Sequence, residues 1–369
     1  MKLMKTTEAV GQVLCHDITQ IIPGVKKDAV FRKGHIITKE DIPVLLSVGK
    51  DTIYIWENDE TMMHENEAAE VLYRMSACGT NSNETDGERH CEAAESGAFG
   101  GTASKMHPSP VKEGKIEVIA DCDGLLKVDS EKLKKVNSFG EMMIATRHGN
   151  TTVKKGDKLA GTRIIPLVIK KDKLKEASNI CEDGPILDIK PFVVRKAAII
   201  TTGNEVFHGR IQDAFTPVIE KKIAEFGAQM MFHEVFDDDD KKITDGCLRA
   251  IEAGAEIVFC TGGMSVDPDD KTPLAIKNTG ARIVSYGSPV LPGAMFLLSY
   301  YDAGDRLVPI CGLPGCAMYN KRTIFDIVLP RLMARDMIYA DELAGLGEGG
   351  LCLNCDVCTF PNCGFGKGF

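Results

Sequence analysis

The pattern of hydrophobic and polar positions changes along the chain and becomes regular in its C-terminal half. From Ile189 onward, short apolar runs alternate with stretches in which apolar residues recur at helical spacing. This alternation predicts an α/β domain, residues 189–338, built on an open, mostly parallel, doubly wound sheet with helices on both faces. The predicted strands and the final helix are, in order, Val193–Thr202, Met230–Phe236, Ile257–Cys260, Arg282–Ser285, Ala294–Tyr300, Leu307–Cys311 and the helix Met318–Leu332.

The N-terminal half shows a less regular pattern, which predicts a smaller β-rich α+β region before the α/β domain. Thr38 opens a predicted helix with a capping-box pattern, a second helix is predicted over Glu65–Met75, and Thr52–Trp56 alternates like a strand. These patterns predict an α+β segment at residues 1–77 and a flexible acidic low-complexity insertion at residues 78–110. They also predict a β-rich module at residues 111–188, which serves as scaffold or dimer interface, and a cysteine-rich tail at residues 345–369.

Charge and hydropathy exclude several classes of function. The net charge is −9, but residues 57–95 hold 11 acidic and 2 basic residues, so the remainder is neutral with 42 of each. A nucleic-acid-binding protein needs a basic face, which this sequence lacks. The longest apolar run, Val290–Tyr301, is shorter than a membrane helix, and the first residues carry no secretion signal. We therefore expect a cytoplasmic protein with neither a nucleic-acid nor a membrane partner.

Three glycine-containing loops follow predicted strands of the α/β domain. Ligands of open α/β sheets bind beyond the carboxyl ends of the strands, where these loops lie. Glycine lets backbone N–H groups approach an anion closely, and a following helix N-terminus favours negative charge. Each loop alone is more often only a tight turn, but three on one edge favour a phosphate or carboxylate ligand. They are Thr202-Gly-Asn-Glu205, Thr261–Asp270 and Cys311-Gly-Leu-Pro-Gly315.

The middle loop also concentrates carboxylates. Asp267, Asp269 and Asp270 lie within four residues, and Glu205 of the first loop is a possible fourth oxygen ligand. Carboxylates beside an anion-binding loop suggest a divalent cation that bridges protein and phosphate, with Mg²⁺ the usual choice. The alternative for Asp270 is a helix cap, since it precedes a predicted helix.

Four of the 13 cysteines lie close together near the C-terminus. Their spacing is C-x2-C-x2-C-x4-C, which brings thiolates within reach of one soft metal centre. It predicts a Zn²⁺ site or an iron–sulfur cluster; the alternative is a tail of reduced thiols. Flanking glycines suggest a mobile appendage that docks on a partner enzyme or shields a cofactor. The predicted ligands are Cys352, Cys355, Cys358 and Cys363.

These loops resemble those of the molybdopterin-binding (MoeA/MogA-like) family, specifically a molybdotransferase-related subgroup with a C-terminal cysteine cluster. Thr261–Asp270 is similar to the family pattern G-G-x-S-x-G-x-x-D, Thr202–Glu205 to T-G-x-E, and Gly312–Gly315 is identical to G-L-P-G. Glu8–Leu14 resembles the family's opening E-A-x-G-R-V-L. Three positions depart from the pattern: Asp267 replaces a glycine, Ala294 a lysine and Cys316 an asparagine.

The resemblance implies a MoaB/Mog-like fold and a role in making the molybdenum cofactor. The expected ligands are molybdopterin, its adenylate or Mo-molybdopterin, with molybdate and Mg²⁺ for molybdenum insertion, and a homodimer is expected. Asp270 carries over as the catalytic acid. The alternatives are a non-catalytic carrier or maturation factor that serves a molybdoenzyme, and a nucleotide pyrophosphatase. The expected cofactor contacts are Thr202, Gly203, Glu205, Thr261, Gly262, Gly263, Ser265, Gly312, Pro314 and Gly315.

Overall fold

The structure is a computed structural model that describes residues 2–22, 26–55, 59–78, 105–265, 267 and 270–368. It divides into two compact units. The N-terminal unit comprises Met1–Asp121, Val128–Arg147 and Lys155–Asp188; the α/β unit comprises Cys122–Lys127, His148–Lys154 and Ile189–Phe369. Most of the predicted flexible insertion, together with Trp56 and Asp269, lies outside the described residues. Within the described ranges, no helix is long and apolar enough to cross a membrane.

The described part of residues 2–190 contains short strands and four α-helices. The helices are α1 Asp41–Ser47, α2 Glu65–Ala77, α3 Ser130–Ser138 and α4 Lys171–Asn179. The strands are β1 Lys2–Lys5, β2 Ile18–Ile22, β3 Lys26–Phe31, β4 Thr52–Ile55, β5 Met62–His64, β6 Met106–Pro108, β7 Lys115–Ala120, β8 Gly124–Val128, β9 Met142–Thr146, β10 Thr151–Val153, β11 Lys158–Ile164, β12 Val168–Lys170 and β13 Leu187–Lys190.

The N-terminal unit packs α2 against an antiparallel sheet with strand order β6-β7-β11-β9. This helix agrees with the one predicted over Glu65–Met75, and its Leu72 and Met75 are fully buried. The helix predicted to open at Thr38 begins instead at Asp41. The Asp41 carboxylate accepts hydrogen bonds from the N–H and hydroxyl of Thr38, so the capping-box residues form a turn before the helix.

The region predicted as a β-rich module also contains the helices α3 and α4. Both helices are strongly polar; the only buried side chain of α3 is Val136, and those of α4 are Leu174 and Ala177. With so few apolar positions, a helical period is hard to recognise in the sequence. The side chain of Asp129 accepts a hydrogen bond from the Lys132 N–H and caps α3.

The α/β unit is built on a six-stranded sheet with strand order β15-β14-β16-β19-β18-β17. The first four strands in this order are parallel, and β18 is antiparallel to both of its neighbours. The remaining elements are β14 Lys196–Thr202, α5 Asn204–Phe207, α6 Phe215–Ala224, β15 Gln229–Phe236, α7 Asp240–Glu252, β16 Ile257–Thr261, α8 Thr272–Asn278, β17 Arg282–Tyr286, β18 Leu297–Asp302, β19 Leu307–Leu313, α9 Ile324–Met333 and α10 Ala340–Gly345.

Two hydrophobic clusters lie on opposite faces of this sheet, which confirms the doubly wound α/β prediction. One cluster includes Ile219 of α6 and Phe325 of α9, and the other includes Ile243 of α7 and Ile276 of α8. The final helix begins at Ile324 rather than at Met318. Thr323 and Asp326 form a capping box there and fix the start of the helix.

The cysteine-rich tail packs onto the α/β unit and is not the freely mobile appendage that its glycines suggested. The Leu291 N–H donates to the Gly350 carbonyl and the Cys352 N–H donates to the Leu291 carbonyl, both at 2.8 Å. Phe365 is buried in the core, and Phe360 packs edge-on against it. Two aromatic anchors and a backbone bridge therefore hold the tail.

Candidate functional site

The three candidate loops lie side by side because their strands are neighbours. β14, β16 and β19 are adjacent and parallel, and Thr201 pairs with Thr261, which in turn pairs with Leu313. The three strands thus end at the same level of the sheet. This arrangement places the Thr202, Thr261 and Gly315 loops on one edge, as the sequence predicted.

Hydroxyl groups tie the first loop to the second. The Thr202 hydroxyl donates to the Thr261 carbonyl at 3.1 Å and lies 3.0 Å from the Thr272 hydroxyl. The Thr272 hydroxyl donates to the Gly262 carbonyl at 2.9 Å, and its N–H donates to the Gly263 carbonyl at 3.3 Å. All three threonines are buried. This network fixes the backbone of the Gly262–Gly263 turn relative to the end of β14.

The two glycines of the middle loop are required by their backbone conformation and by their neighbours. Gly262 and Gly263 have φ of +80° and +54°. A Cβ on Gly262 would stand 2.1 Å from the carbonyl oxygen of Thr202, and one on Gly263 would stand 2.8 Å from the Thr272 hydroxyl. Only glycine allows this close approach of two loops.

The third loop follows β19 and is joined to the second through a methionine. Gly312 belongs to the strand, and a Cβ there would stand 2.5 Å from the sulfur of Met264. Gly312 is therefore explained by packing, whereas Pro314 and Gly315 form the turn that leaves the sheet. Across the loop, the Tyr286 hydroxyl contacts the Met264 carbonyl at 3.5 Å.

One buried hydroxyl at this edge has no partner. The side chain of Thr261 is fully buried, and its Oγ1 makes no hydrogen bond to any residue that the structure describes. Buried polar groups are nearly always hydrogen-bonded, so an unpartnered one at a candidate site suggests a missing ligand or water. Ser265, four residues along, is exposed at the surface of the same loop.

The predicted carboxylate cluster is only partly assembled. The Asp270 carboxylate accepts a hydrogen bond from the Asp267 N–H at 3.2 Å and closes a turn; Lys271 is the N-cap of α8, so Asp270 is not the helix cap. Burial and the nearby charge of Asp270 raise the pKa of Tyr286. Within the described ranges, no three potential ligands, Glu205 included, converge to hold a metal ion. Mg²⁺ at this edge therefore stays a prediction.

The four tail thiols likewise do not converge on a common centre in the described chain, so the structure gives no support to the predicted zinc or iron–sulfur site. Cys352 and Cys363 pack against the hydrophobic core, whereas Cys355 and Cys358 are exposed. The Arg322 guanidinium lies over the Phe360 ring at 5.0 Å. This cation–π contact adds to the aromatic and backbone contacts that hold the tail on the α/β unit.

Sequence reasoning missed a polar cluster below the first loop. The Thr201 hydroxyl donates to Asp213 at 2.8 Å and lies 3.2 Å from a ring nitrogen of His233. Burial works to raise the pKa of Asp213, but hydrogen bonds from Thr216, Thr201 and two backbone N–H groups bring it below its usual value. A signal was present in the sequence, since Asp213 stands just ahead of a predicted helix, and its carboxylate accepts from the N–H groups of Phe215 and Thr216.

The end of β15 adds a second missed group at the same edge. The Asp238 carboxylate accepts from the Asn204 N–H at 3.1 Å. Asp237 pairs with Lys242, yet its Oδ1 is buried without a partner among the described residues. Asp237 and Asp238 therefore lie beside the first loop, at the end of β15.

Two protein families match separate parts of the chain. Residues 198–334 match a family described as Probable molybdopterin binding domain, and residues 3–57 match a Domain of unknown function (DUF8806). A Putative competence-damage inducible protein of Bacillus velezensis is 29% identical over 90 residues, which cover 24% of this chain and 21% of that protein. A Molybdopterin molybdenumtransferase of Staphylococcus epidermidis is 26% identical over 156 residues, which cover 40% of this chain and 37% of that protein.

Solved structures of similar proteins include the tungsten cofactor synthesizing protein MoaB from Pyrococcus furiosus. It is 18% identical, with a TM-score of 0.30, and the match covers 38% of this chain and 89% of that chain. The chain spans about a fifth to two fifths of the length of the curated relatives. Within the chain, the residues that carry the three loops lie inside the match to the Probable molybdopterin binding domain, residues 198–334.

Proposed function

We propose that the α/β unit binds molybdopterin or its adenylate at the edge formed by β14, β16 and β19, and that the protein takes part in molybdenum cofactor biosynthesis. The observation that carries this proposal is the convergence of three glycine-containing loops on that edge. Their place within the family match at residues 198–334 supports it.

The ligand's phosphate groups explain the character of the edge. Backbone N–H groups of glycine turns bind phosphate oxygens without a bulky side chain in the way. Gly262, Gly263 and Ser265 would provide such contacts in the middle loop, and Gly203 and Glu205 would border the ligand in the first. The hydroxyl network behind them keeps this backbone rigid before the ligand arrives, which lowers the entropic cost of binding.

Asp270 is the residue that we propose for catalysis. Its carboxylate is half-buried next to the middle loop, and the Asp267 N–H orients it. The dithiolene of molybdopterin would accept molybdenum from molybdate, while the chain holds the phosphate end of the ligand in place. Negative charge developing at a phosphate needs oriented donors or a cation, so Mg²⁺ bound near Asp270 is part of this proposal.

Asp270→Asn tests the catalytic proposal. The substitution removes a negative charge and keeps the shape, so turnover of adenylated molybdopterin with molybdate should fall at least about a hundredfold. Molybdopterin affinity should change by less than about threefold, because the proposed phosphate contacts are backbone groups. Both are measured on the intact protein. Turnover equal to that of the wild type would remove Asp270 from the mechanism.

A cofactor carrier is the second candidate function. Ala294 stands where the resembled family has a lysine, so one positive charge expected beside an oxyanion is missing. A carrier would bind Mo-molybdopterin and deliver it to a molybdoenzyme without turnover of its own. The wild-type assay separates the candidates, since a carrier releases no AMP from the adenylate. In either case we propose a homodimer.

Thr261→Val tests whether the unpartnered hydroxyl serves the ligand. Removing a buried hydroxyl without a partner should raise the unfolding free energy of the ligand-free protein by about 1 kcal/mol. Molybdopterin affinity should fall about tenfold, the value of one charge-assisted hydrogen bond. Denaturation and fluorescence titration measure the two quantities.

Thr279→Val is the matched control for that substitution. The Thr279 hydroxyl is buried but donates to the Ile276 carbonyl and accepts from the Ala281 N–H, so its removal should destabilise the protein and leave affinity unchanged. If Thr261→Val binds molybdopterin as tightly as the wild type, its hydroxyl has no part in the site.

A further inference from the structure

A polar cavity of about 260 Å³ lies within the N-terminal unit, in residues that the α/β domain does not include. At about 30 Å³ for each water molecule, the volume corresponds to roughly nine waters, enough for a small metabolite. Its charged lining is balanced. It consists of three basic and three acidic side chains: Lys33, Lys50, Arg163, Asp17, Glu65 and Glu113.

Two opposite charges face this cavity without pairing. Of the positive charges that favour an ionised Glu65, Arg163 has the largest effect, yet within the described chain the two side chains form no ion pair and the Glu65 carboxylate accepts no hydrogen bond. Burial raises the pKa of Glu65 in spite of that charge. Arg163 donates through Nε to the Ile164 carbonyl at 3.2 Å, and its two terminal amino groups make no hydrogen bond to a described residue. Both residues line the same cavity, so a molecule that carries both charges could satisfy the two groups.

The backbone holds Glu65 in this position. Gly114 has φ of +67°, and a Cβ there would stand 2.7 Å from a carboxylate oxygen of Glu65. The Gly114 N–H donates to the Asn66 side chain at 3.1 Å, which joins this turn to the start of α2. Glu65 is therefore packed against a turn that only glycine fits.

A buried imidazole nitrogen adds an independent indication of a ligand. Nδ1 of His16, which lines the cavity, is buried and has no hydrogen-bond partner among the described residues. Burial, with the charge of Lys50, lowers the pKa of His16 and favours the neutral ring. His64 differs, because its two ring nitrogens contact the Cys15 carbonyl and the Asn66 N–H. His64 is structural, whereas His16 lacks a partner that a ligand can supply.

We propose that this cavity binds a free α-amino acid, with its carboxylate on Arg163 and its ammonium group on Glu65. The planar guanidinium presents two parallel N–H donors that match a carboxylate, and a half-buried carboxylate without hydrogen bonds is a natural partner for an ammonium group. A simple anion bound to Arg163 would be repelled by the Glu65 carboxylate, and a simple cation bound to Glu65 would be repelled by Arg163. The zwitterion satisfies both, and the polar remainder of the lining favours a polar side chain. This site is independent of the molybdopterin proposal.

The test is isothermal titration of the full chain with each of the twenty amino acids at up to about 10 mM. At least one polar amino acid should bind saturably with one site per chain. Glu65→Gln and Arg163→Gln should each weaken its binding at least about tenfold, because each loses a charge-assisted hydrogen bond. Glu67→Gln, an exposed glutamate in the same first turn of α2, is the matched control and should bind as the wild type does.

Three results would overturn the proposal. One is that no amino acid binds the wild-type chain. The second is that binding persists unchanged in both Glu65→Gln and Arg163→Gln while circular dichroism shows both folded, which would place the site elsewhere. The third is that inorganic phosphate binds and that no amino acid competes with it, which would make the cavity an anion site. Glu65→Gln is nearly isosteric, so the test does not depend on Arg163→Gln folding.

Discussion

Asp336→Asn is expected to lower the unfolding free energy by about 3 kcal/mol, since it removes a buried carboxylate that the buried Arg331 and two partly exposed lysines share. The carboxylate of Asp336 is almost fully buried in the α/β unit. It pairs with Lys127 at 2.8 Å, with Lys190 at 2.5 Å and with Arg331 at 2.6 Å. Arg331 is itself buried and cannot turn to solvent. Urea denaturation followed by far-ultraviolet circular dichroism measures the loss.

The same carboxylate makes stability depend on pH. Burial works to raise the pKa of Asp336, but hydrogen bonds from the two lysines and the charge of Arg331 bring it down to about 2. A carboxyl whose folded-state pKa is depressed stabilises the fold above its unfolded pKa of about 3.9 and loses that contribution as pH falls toward the folded value. About 2 kcal/mol should therefore disappear between pH 4 and pH 2 in the wild type, and not in Asp336→Asn.

Asp305→Asn is the control for this prediction. Asp305 pairs with Arg306 at 3.1 Å, but its side chain is 72% exposed, and exposed ion pairs contribute little. Its unfolding free energy should stay within about 0.5 kcal/mol of the wild type. If the unfolding free energy of Asp336→Asn also differs from that of the wild type by less than about 1 kcal/mol, the buried network does not stabilise the unit.

Gly262→Ala is expected to abolish molybdopterin binding, with affinity reduced more than a hundredfold. The new Cβ would meet the Thr202 carbonyl at 2.1 Å, and a φ of +80° adds about 1–2 kcal/mol of strain. The loop must move away from the end of β14, and its N–H groups move with it. Fluorescence titration with molybdopterin under anaerobic conditions measures the affinity.

Gly280→Ala separates strain from loop displacement. Gly280 has a φ of +85°, but no atom lies within 4 Å of the position of its Cβ. The substitution should cost the same 1–2 kcal/mol of stability and leave molybdopterin affinity unchanged. If Gly262→Ala binds molybdopterin as tightly as Gly280→Ala and the wild type do, the Gly262 turn is not part of the binding site.

The edge of the sheet was predictable because its signals are local. β14 and β16 are apolar runs that end in Thr-Gly, and such an ending locates both the strand terminus and the turn. The hydroxyl network was not predictable, since Thr202 and Thr272 meet only once the strands are adjacent. His233 reaches Asp213 in the same way, through the pairing of β15 with β14.

Elements without a strong period were the ones that the sequence left undetermined. α3 buries only Val136, so its polar sequence gave no helical pattern. The tail was predicted from cysteine spacing, whereas Phe360 and Phe365 determine where it packs. The cavity of the N-terminal unit could not be predicted from a local sequence pattern, because Glu65 and Arg163 are almost a hundred residues apart.

The central claim is that molybdopterin binds where the ends of β14, β16 and β19 meet. The most direct measurement is the pterin and molybdenum content of the full chain, purified without oxygen and then offered molybdopterin, with Gly262→Ala handled identically. The account predicts about one pterin per wild-type chain and none in the variant. A wild-type chain that neither carries nor takes up pterin would contradict it.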